Sequence, residues 1–292
     1  MLDTLFRLYL PLVTVVVVRY LPASVPIRLG QFLYYFGIPI SIVAFLQRAN
    51  LTGGVWLAPI VAWGGILTGL LIAWLSIKDR PWATKSKGSF VLAAMVGNTG
   101  YIGYPVALAI GGEAHFAWAL FYDLLGTLFG SFGLGVVIAA RCGAKQSYAW
   151  WRELWQNPTL WSLGLGFILR WWSLPPGVLL PLKTAGWGMV WFALLLIGMR
   201  LGGVKNFSDL GRAWGSVVIK MAIVPLLFAA VSPWLGLDPL PRRILLVEMA
   251  MPPAFATVVL AEVYALDREL TVTALSIGTI LLMFTLPLWL LL

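Results

Sequence analysis

The chain has 292 residues, 61% of them hydrophobic and 11% charged, with a mean hydropathy of +0.91. A soluble domain carries about a quarter charged residues, so this composition excludes an ordinary globular protein and implies a bilayer as solvent. The 20 Lys and Arg against 11 Asp and Glu form no continuous basic stripe of the kind that grips nucleic acid; they stand singly or in pairs between apolar stretches, as in the loops of a membrane protein.

With about 20 apolar residues as the length of one crossing, the sequence predicts about ten membrane helices. They fall at residues 5–20, 29–46, 55–77, 90–110, 116–140, 158–172, 184–201, 213–234, 243–263 and 270–291, here called spans 1 to 10. Residues 1–20 carry Asp3 and Arg7 early and then run apolar without a small-residue cleavage site, so span 1 is expected to be a retained helix rather than a signal peptide. Pro39, Pro225 and Pro287 lie inside spans 2, 8 and 10. Membrane helices tolerate proline where neighbours re-satisfy the freed carbonyl, and each of the three predicts a kink. The lone His115, between spans 4 and 5, is expected at a loop or helix end, and with the single Cys142 it provides no metal cluster and no intrachain disulfide.

The longest connection, residues 141–157, contains YAWWRELWQNP. Trp150, Trp151 and Trp155 beside Arg152 and Glu153 suit a short amphipathic helix at the headgroup level. Five spans precede this seam and five follow it. An odd number per half makes the second half enter the membrane from the opposite side, which predicts inverted repeats over residues 1–145 and 146–292. Basic residues favour the side of this loop by about two to one, so the N-terminus is expected outside and the loop between spans 5 and 6 in the cytoplasm of a plasma membrane, the inner one in a bacterium.

Two breaks interrupt the spans at corresponding places: GNTGYIGYP at 97–105 in span 4 and MPP at 251–253 in span 9. Asn98 lies roughly 16 Å beyond Lys87 at one face and Pro252 roughly 13 Å beyond Arg243 at the opposite face, at 1.5 Å per residue. Both therefore reach the middle of a core about 30 Å thick. Irregular backbone at that depth survives only inside protein or beside a water-filled cavity, and paired broken helices point to a transporter's binding site. Gly97, Gly100 and Gly103 are expected to supply unusual torsions and close approach to the backbone, while Pro105 suits the first turn of a restarted helix. Pro252 and Pro253 remove two donors in succession. Asn98, Thr99, Gly100, Tyr101, Pro105, Met251, Pro252 and Pro253 form the candidate substrate site, where positive half-helix ends favour an anion. The alternative is a pair of ordinary kinked packing helices.

Three ionisable residues fall away from the ends of the apolar spans, where a charge costs at least a few kcal/mol: Asp123, Glu248 and Lys220. Asp123 could carry a proton or a coupling cation, or be a structural carboxylate satisfied by Thr127 or a neighbouring helix. Glu248, one turn before Pro252, could face the same cavity or form a vestibule salt bridge with Arg242 or Arg243. Lys220 is expected to snorkel to the interface or pair with an acid, ahead of a role as an accessory anion-binding charge. Glu262 should be back at the surface, and the GxxxG spacings Gly126–Gly130 and Gly198–Gly202 suit close helix packing.

GNTGYIGYP, MPPAFATVVLAEVYALDREL at 251–270, the closing TLPLWLLL and the loop phrase RELWQNPTLW together resemble the auxin efflux carrier family, whose bacterial members are described as malate, malonate or other organic-anion permeases. The likeness extends over essentially the whole chain. It implies ten helices in two inverted repeats, with spans 4 and 9 crossing. It also implies a dimerising scaffold of spans 1, 2, 6 and 7 beside a mobile transport domain of spans 3–5 and 8–10. The family's crossover positions fall on Asn98 with Pro105 and on Pro252 with Val258. Plant auxin carriers have an acidic and a basic residue in the third helix and a long central loop. Residues 55–77 have neither charge and the loop is short, which counts against auxin as substrate.

The sequence therefore predicts an all-α integral membrane protein that carries a small organic anion, a carboxylate, by an elevator-type movement. Its partners would be the bilayer and a second copy of the chain. No cofactor is expected beyond a coupling ion, H⁺ or Na⁺. No Walker A motif is present, and no nucleophile, base and orienting group combine into an enzyme's site. A sodium-coupled carrier resembling bile-acid symporters and a non-transporting sensor or assembly protein are the alternatives.

Overall fold

The computed structural model of the protein describes residues 24–51, 54–143, 155–172, 174–202 and 209–291. Span 1, and Trp150, Trp151, Arg152 and Glu153 of the long loop, lie outside the described residues. Within them the protein is all helical, without a named strand. Six helical stretches are long and apolar enough to cross a membrane: Ser24–Leu46, Leu57–Ile77, Thr99–Cys142, Pro176–Leu196, Leu210–Leu235 and Arg268–Leu291. Spans 2, 3, 7, 8 and 10 match these directly, and span 7 runs further, over Pro176–Gly202. Span 6 is the helix Pro158–Trp171, capped by Asn157, whose side chain accepts from the Thr159 amide at 2.9 Å.

Spans 4 and 9 are each made of two helices. Span 4 has Thr84–Met95 and, after the break, a wide turn Thr99–Gly103 that runs on into Tyr104–Phe121. Span 9 has Pro239–Met249 and Phe255–Val263. The helix Tyr104–Phe121 turns at Gly112, whose φ of 62° is costly for any residue with a β-carbon, so residues 104–111 close span 4 and residue 113 onward opens span 5. His115 sits at that turn, its Nδ1 3.0 Å from the Gly111 carbonyl oxygen.

Three prolines share one local solution. Five-residue π turns at Leu33–Gly37, Thr99–Gly103 and Ile219–Ile223 lead directly into helices that carry Pro39, Pro105 and Pro225 in their first turn. Proline cannot donate to a carbonyl four residues earlier and its ring clashes there; a widened turn relieves both. The expected kinks at Pro39 and Pro225 thus take the form of π turns, whereas Pro287 remains inside the unbroken helix Arg268–Leu291.

Small residues set the packing. Gly166 of span 6 lies against Val43 and Leu46 of span 2, and Gly186 of span 7 lies against Ala44 and Phe45. Hydrogen bonds accompany these contacts: Ser41 Oγ donates to the Gly186 carbonyl at 3.2 Å, Gln47 Nε2 to that of Gly166 at 3.2 Å, and Arg170 to that of Leu46 at 2.5 Å. In another group, Gly126 and Gly130 of span 5 meet Ala62 and Ile66 of span 3, and Gly69 lies on the Ala94 carbonyl of span 4. The Gly126–Gly130 spacing therefore serves close helix approach, as expected.

Candidate functional site

The two breaks meet. Beyond Met95 the chain turns extended at Val96 (φ −115°, ψ 136°), and Gly97 forms an antiparallel bridge with Pro253. The Asn98 amide donates to the Pro252 carbonyl at 2.7 Å, and the Ala254 amide donates to the Val96 carbonyl at 3.0 Å. In the interior of a membrane protein each such group left unpaired would cost several kcal/mol. The two breaks thus satisfy part of each other's backbone, which two separately kinked packing helices would not do. Gly278 of span 10 admits the assembly: a β-carbon there would lie 2.7 Å from Pro253 Cδ and 3.0 Å from Pro252 Cβ.

Both restarted helices begin without a side-chain cap. Asn98 precedes the turn Thr99–Gly103, and Ala254 precedes Phe255–Val263; neither makes a capping hydrogen bond. The first amides of a helix have no intrahelical acceptor, so the meeting point of the two breaks presents two positive helix ends inside the protein. Asn98 is 7% exposed. Thr99, Pro105, Met251, Pro252, Pro253 and Val258 are also buried, Gly100 is partly exposed, and Tyr101 reaches towards span 2, its hydroxyl 3.5 Å from the Gly30 carbonyl oxygen.

One expectation for this segment needs correction. Gly97, Gly100 and Gly103 do not have left-handed torsions; among the described glycines only Gly54, Gly112 and Gly236 have positive φ. What these three positions require is the absence of a β-carbon. One at Gly97 would lie 3.0 Å from Lys220 Cε and 3.1 Å from its Nζ; one at Gly100 would lie 3.2 Å from Asp123 Oδ2; one at Gly103 would overlap the carboxyl group of Glu248. The spacing of three along the first break therefore lays a glycine against each of the buried ionisable side chains. Pro105 stands in the first turn of the helix Tyr104–Phe121, as expected, directly after the π turn Thr99–Gly103.

Asp123, on span 5, accepts from Thr99 Oγ1 and, at 2.7 Å, from the Tyr104 hydroxyl. Its partners come from the first break and not from Thr127, because the reversal at Gly112 folds span 5 back along the second half of span 4. Glu248 is 0% exposed and neither carboxyl oxygen has a hydrogen-bond partner. The alternative of a vestibule salt bridge to Arg242 or Arg243 is not formed, since the side chain faces Gly103. Lys220 is 4% exposed and Nζ donates to the Met249 carbonyl, so it does not snorkel. Glu262 is exposed and pairs with Arg268 at 2.5 Å.

The sequence offered no sign of one further contact. Glu113, just past the Gly112 turn, forms an ion pair with Lys183 of span 7 and accepts from Trp187 Nε1 at 3.3 Å. The adjoining Asn50 amide donates to the Ala114 carbonyl at 2.7 Å, and Phe45 packs edge-on against Phe116 and Trp187. These contacts join the span 2, 6 and 7 group to the turn between spans 4 and 5. Among the described residues no group of His, Cys, Asp and Glu has the arrangement of a metal site.

A family model described as membrane transport protein matches residues 19–149 and 144–290. An "uncharacterized transporter" of Methanothermobacter thermautotrophicus is 30% identical over 270 residues, which cover 89% of this chain and 87% of that protein. Another from Methanocaldococcus jannaschii is 29% identical over 209 residues, 69% of this chain and 67% of the relative. The family match extends through both breaks and across the seam between the two halves. The chain belongs to the membrane transport protein family, the auxin-efflux-carrier type that its break motifs resemble.

Proposed function

We propose that the protein is a secondary transporter of a small organic anion, a carboxylate, which binds at the crossover of spans 4 and 9. The observation that carries this reading is the apposition of two uncapped half-helix starts with Asn98, a buried side chain that caps neither. Buried helix N-termini without side-chain caps are anion sites in waiting, and an amide side chain beside them can orient a carboxylate. Thr99, Gly100, Tyr101, Met251, Pro252 and Pro253 would complete the site. Asp123 would act chiefly through Thr99 and Tyr104, holding the first break in shape.

In this reading spans 2, 6 and 7, with span 1, form a scaffold, and spans 3–5 and 8–10 move against it as an elevator. The close contacts of spans 6 and 7 with span 2, and of span 3 with spans 4 and 5, support such a grouping. Counterflow in proteoliposomes tests the function. Vesicles loaded with unlabelled carboxylate should accumulate the labelled form transiently, and Asn98→Ala should weaken the exchange at least tenfold. Saturable binding without counterflow would instead support a sensor that moves nothing.

A further inference from the structure

Pro253 lacks the N–H that would have closed onto the carbonyl of Met249, four residues earlier. The replacement donor comes from another span: Lys220 lies within the wide turn Ile219–Ile223 of span 8, and its Nζ donates to that carbonyl. Met249 ends the half-helix Pro239–Met249, so the ammonium sits at the negative end of a helix dipole. Gly97 leaves the space through which it passes.

The neighbouring residue supplies the second observation. Glu248 directly precedes Met249 in the same half-helix and is 0% exposed, with both carboxyl oxygens unpartnered. The other buried carboxyl group, Asp123, is already served by two hydroxyl donors. Unwound carbonyls and half-helix C-terminal ends coordinate sodium ions in transporters with broken helices, and here a buried carboxyl group adjoins such an end. Here a lysine stem delivers the positive charge to that place.

We propose that the Lys220 ammonium is a tethered substitute for a coupling cation at the second break. The crossover is therefore held together without bound Na⁺, and removing this charge uncovers a monovalent-cation site formed by the Glu248 carboxylate and the Met249 carbonyl. The proposal rests on the crossover being the transport site for its functional meaning. Its test contains no organic anion, so its failure and the failure of the transport reading are told apart.

Thermal unfolding of the purified protein is followed in NaCl, KCl and choline chloride at equal ionic strength. Wild type should show no Na⁺-specific shift. Lys220→Gln should unfold earlier in choline and recover by on the order of 5 °C in Na⁺ at about a hundred times its dissociation constant. Lys220→Gln combined with Glu248→Gln should lose that response. A Na⁺-specific shift in wild type that Glu248→Gln removes overturns the proposal, because a cation site would then exist beside the lysine. A folded Lys220→Gln protein that is indifferent to Na⁺ overturns it too. So does a Lys220→Gln protein that cannot be recovered folded even in Na⁺, since the ion would then fail to replace the ammonium.

Discussion

Gly103→Ala separates two uses of glycine that sequence alone does not distinguish. The backbone at Gly103 is helical (φ −63°, ψ −46°), so on torsional grounds alanine should be welcome and stabilising by roughly 0.5–1 kcal/mol. Space decides otherwise. The added β-carbon would lie 2.6 Å from Glu248 Cδ and Oε1 and closer still to Oε2, about 1 Å inside ordinary contact. Glu248 is 0% exposed, with no solvent to retreat into, and overpacking of this kind costs about 1–3 kcal/mol. The two effects leave a net loss of about 0–2.5 kcal/mol, centred a little above 1. The assay is thermal unfolding in detergent, with Gly188→Ala as control, because nothing lies within 4 Å of a β-carbon there. Adding Glu248→Ala to Gly103→Ala should return most of the loss, giving a coupling of about 1 kcal/mol or more. If Gly103→Ala matches wild type in stability and the double mutant is additive within about 0.5 kcal/mol, the steric argument for the glycine spacing is wrong.

Other changes test neighbouring parts of the account. Tyr104→Phe deletes one of the two hydroxyl donors to Asp123, and a hydrogen bond to a charged group contributes about 1.5–3 kcal/mol; an unchanged melting temperature would mean that Asp123 does not hold the first break. The Glu113–Lys183 ion pair is partly exposed, with side-chain exposures of 19% and 15%, so a double-mutant cycle should give no more than about 1 kcal/mol of coupling. If spans 4 and 5 slide past span 7, Lys183→Met should also alter the rate of counterflow without changing its substrate preference. Equal rates would count against that movement at this contact.

Much of the fold was legible because hydrophobic length is the dominant signal in a bilayer. Spans 2 to 10 appear close to their predicted positions, and only the ends move: span 7 begins at Pro176 rather than residue 184, since Pro181 within an apolar helix does not end it. Both breaks were visible as proline and glycine clusters, and their meeting followed from equal depth counted from opposite ends. Hydropathy could not reveal what lies across from each residue. That Thr99 and Tyr104 serve Asp123 depends on the reversal at Gly112, and that Lys220 serves Met249 depends on the donor missing from Pro253. The Glu113–Lys183 pair joins residues 70 positions apart, and no local pattern in either segment marks it. The glycine spacing was noticed for torsional freedom, whereas its use is steric, because Lys220, Asp123 and Glu248, on spans 8, 5 and 9, occupy the vacant β-carbon positions.

The central claim is that an organic carboxylate binds between the two breaks and crosses the membrane there. Current recording on a solid-supported membrane, repeated across a panel of mono- and dicarboxylates with and without Na⁺ at two pH values, tests it most directly where transport moves net charge, with radiolabel exchange on the same vesicles covering electroneutral carriage. The account predicts a saturable signal for at least one carboxylate, unchanged when choline replaces Na⁺ and strongly reduced by Asn98→Ala. Equal signals from wild type and Asn98→Ala, or no carboxylate signal above protein-free vesicles in either readout, would contradict it.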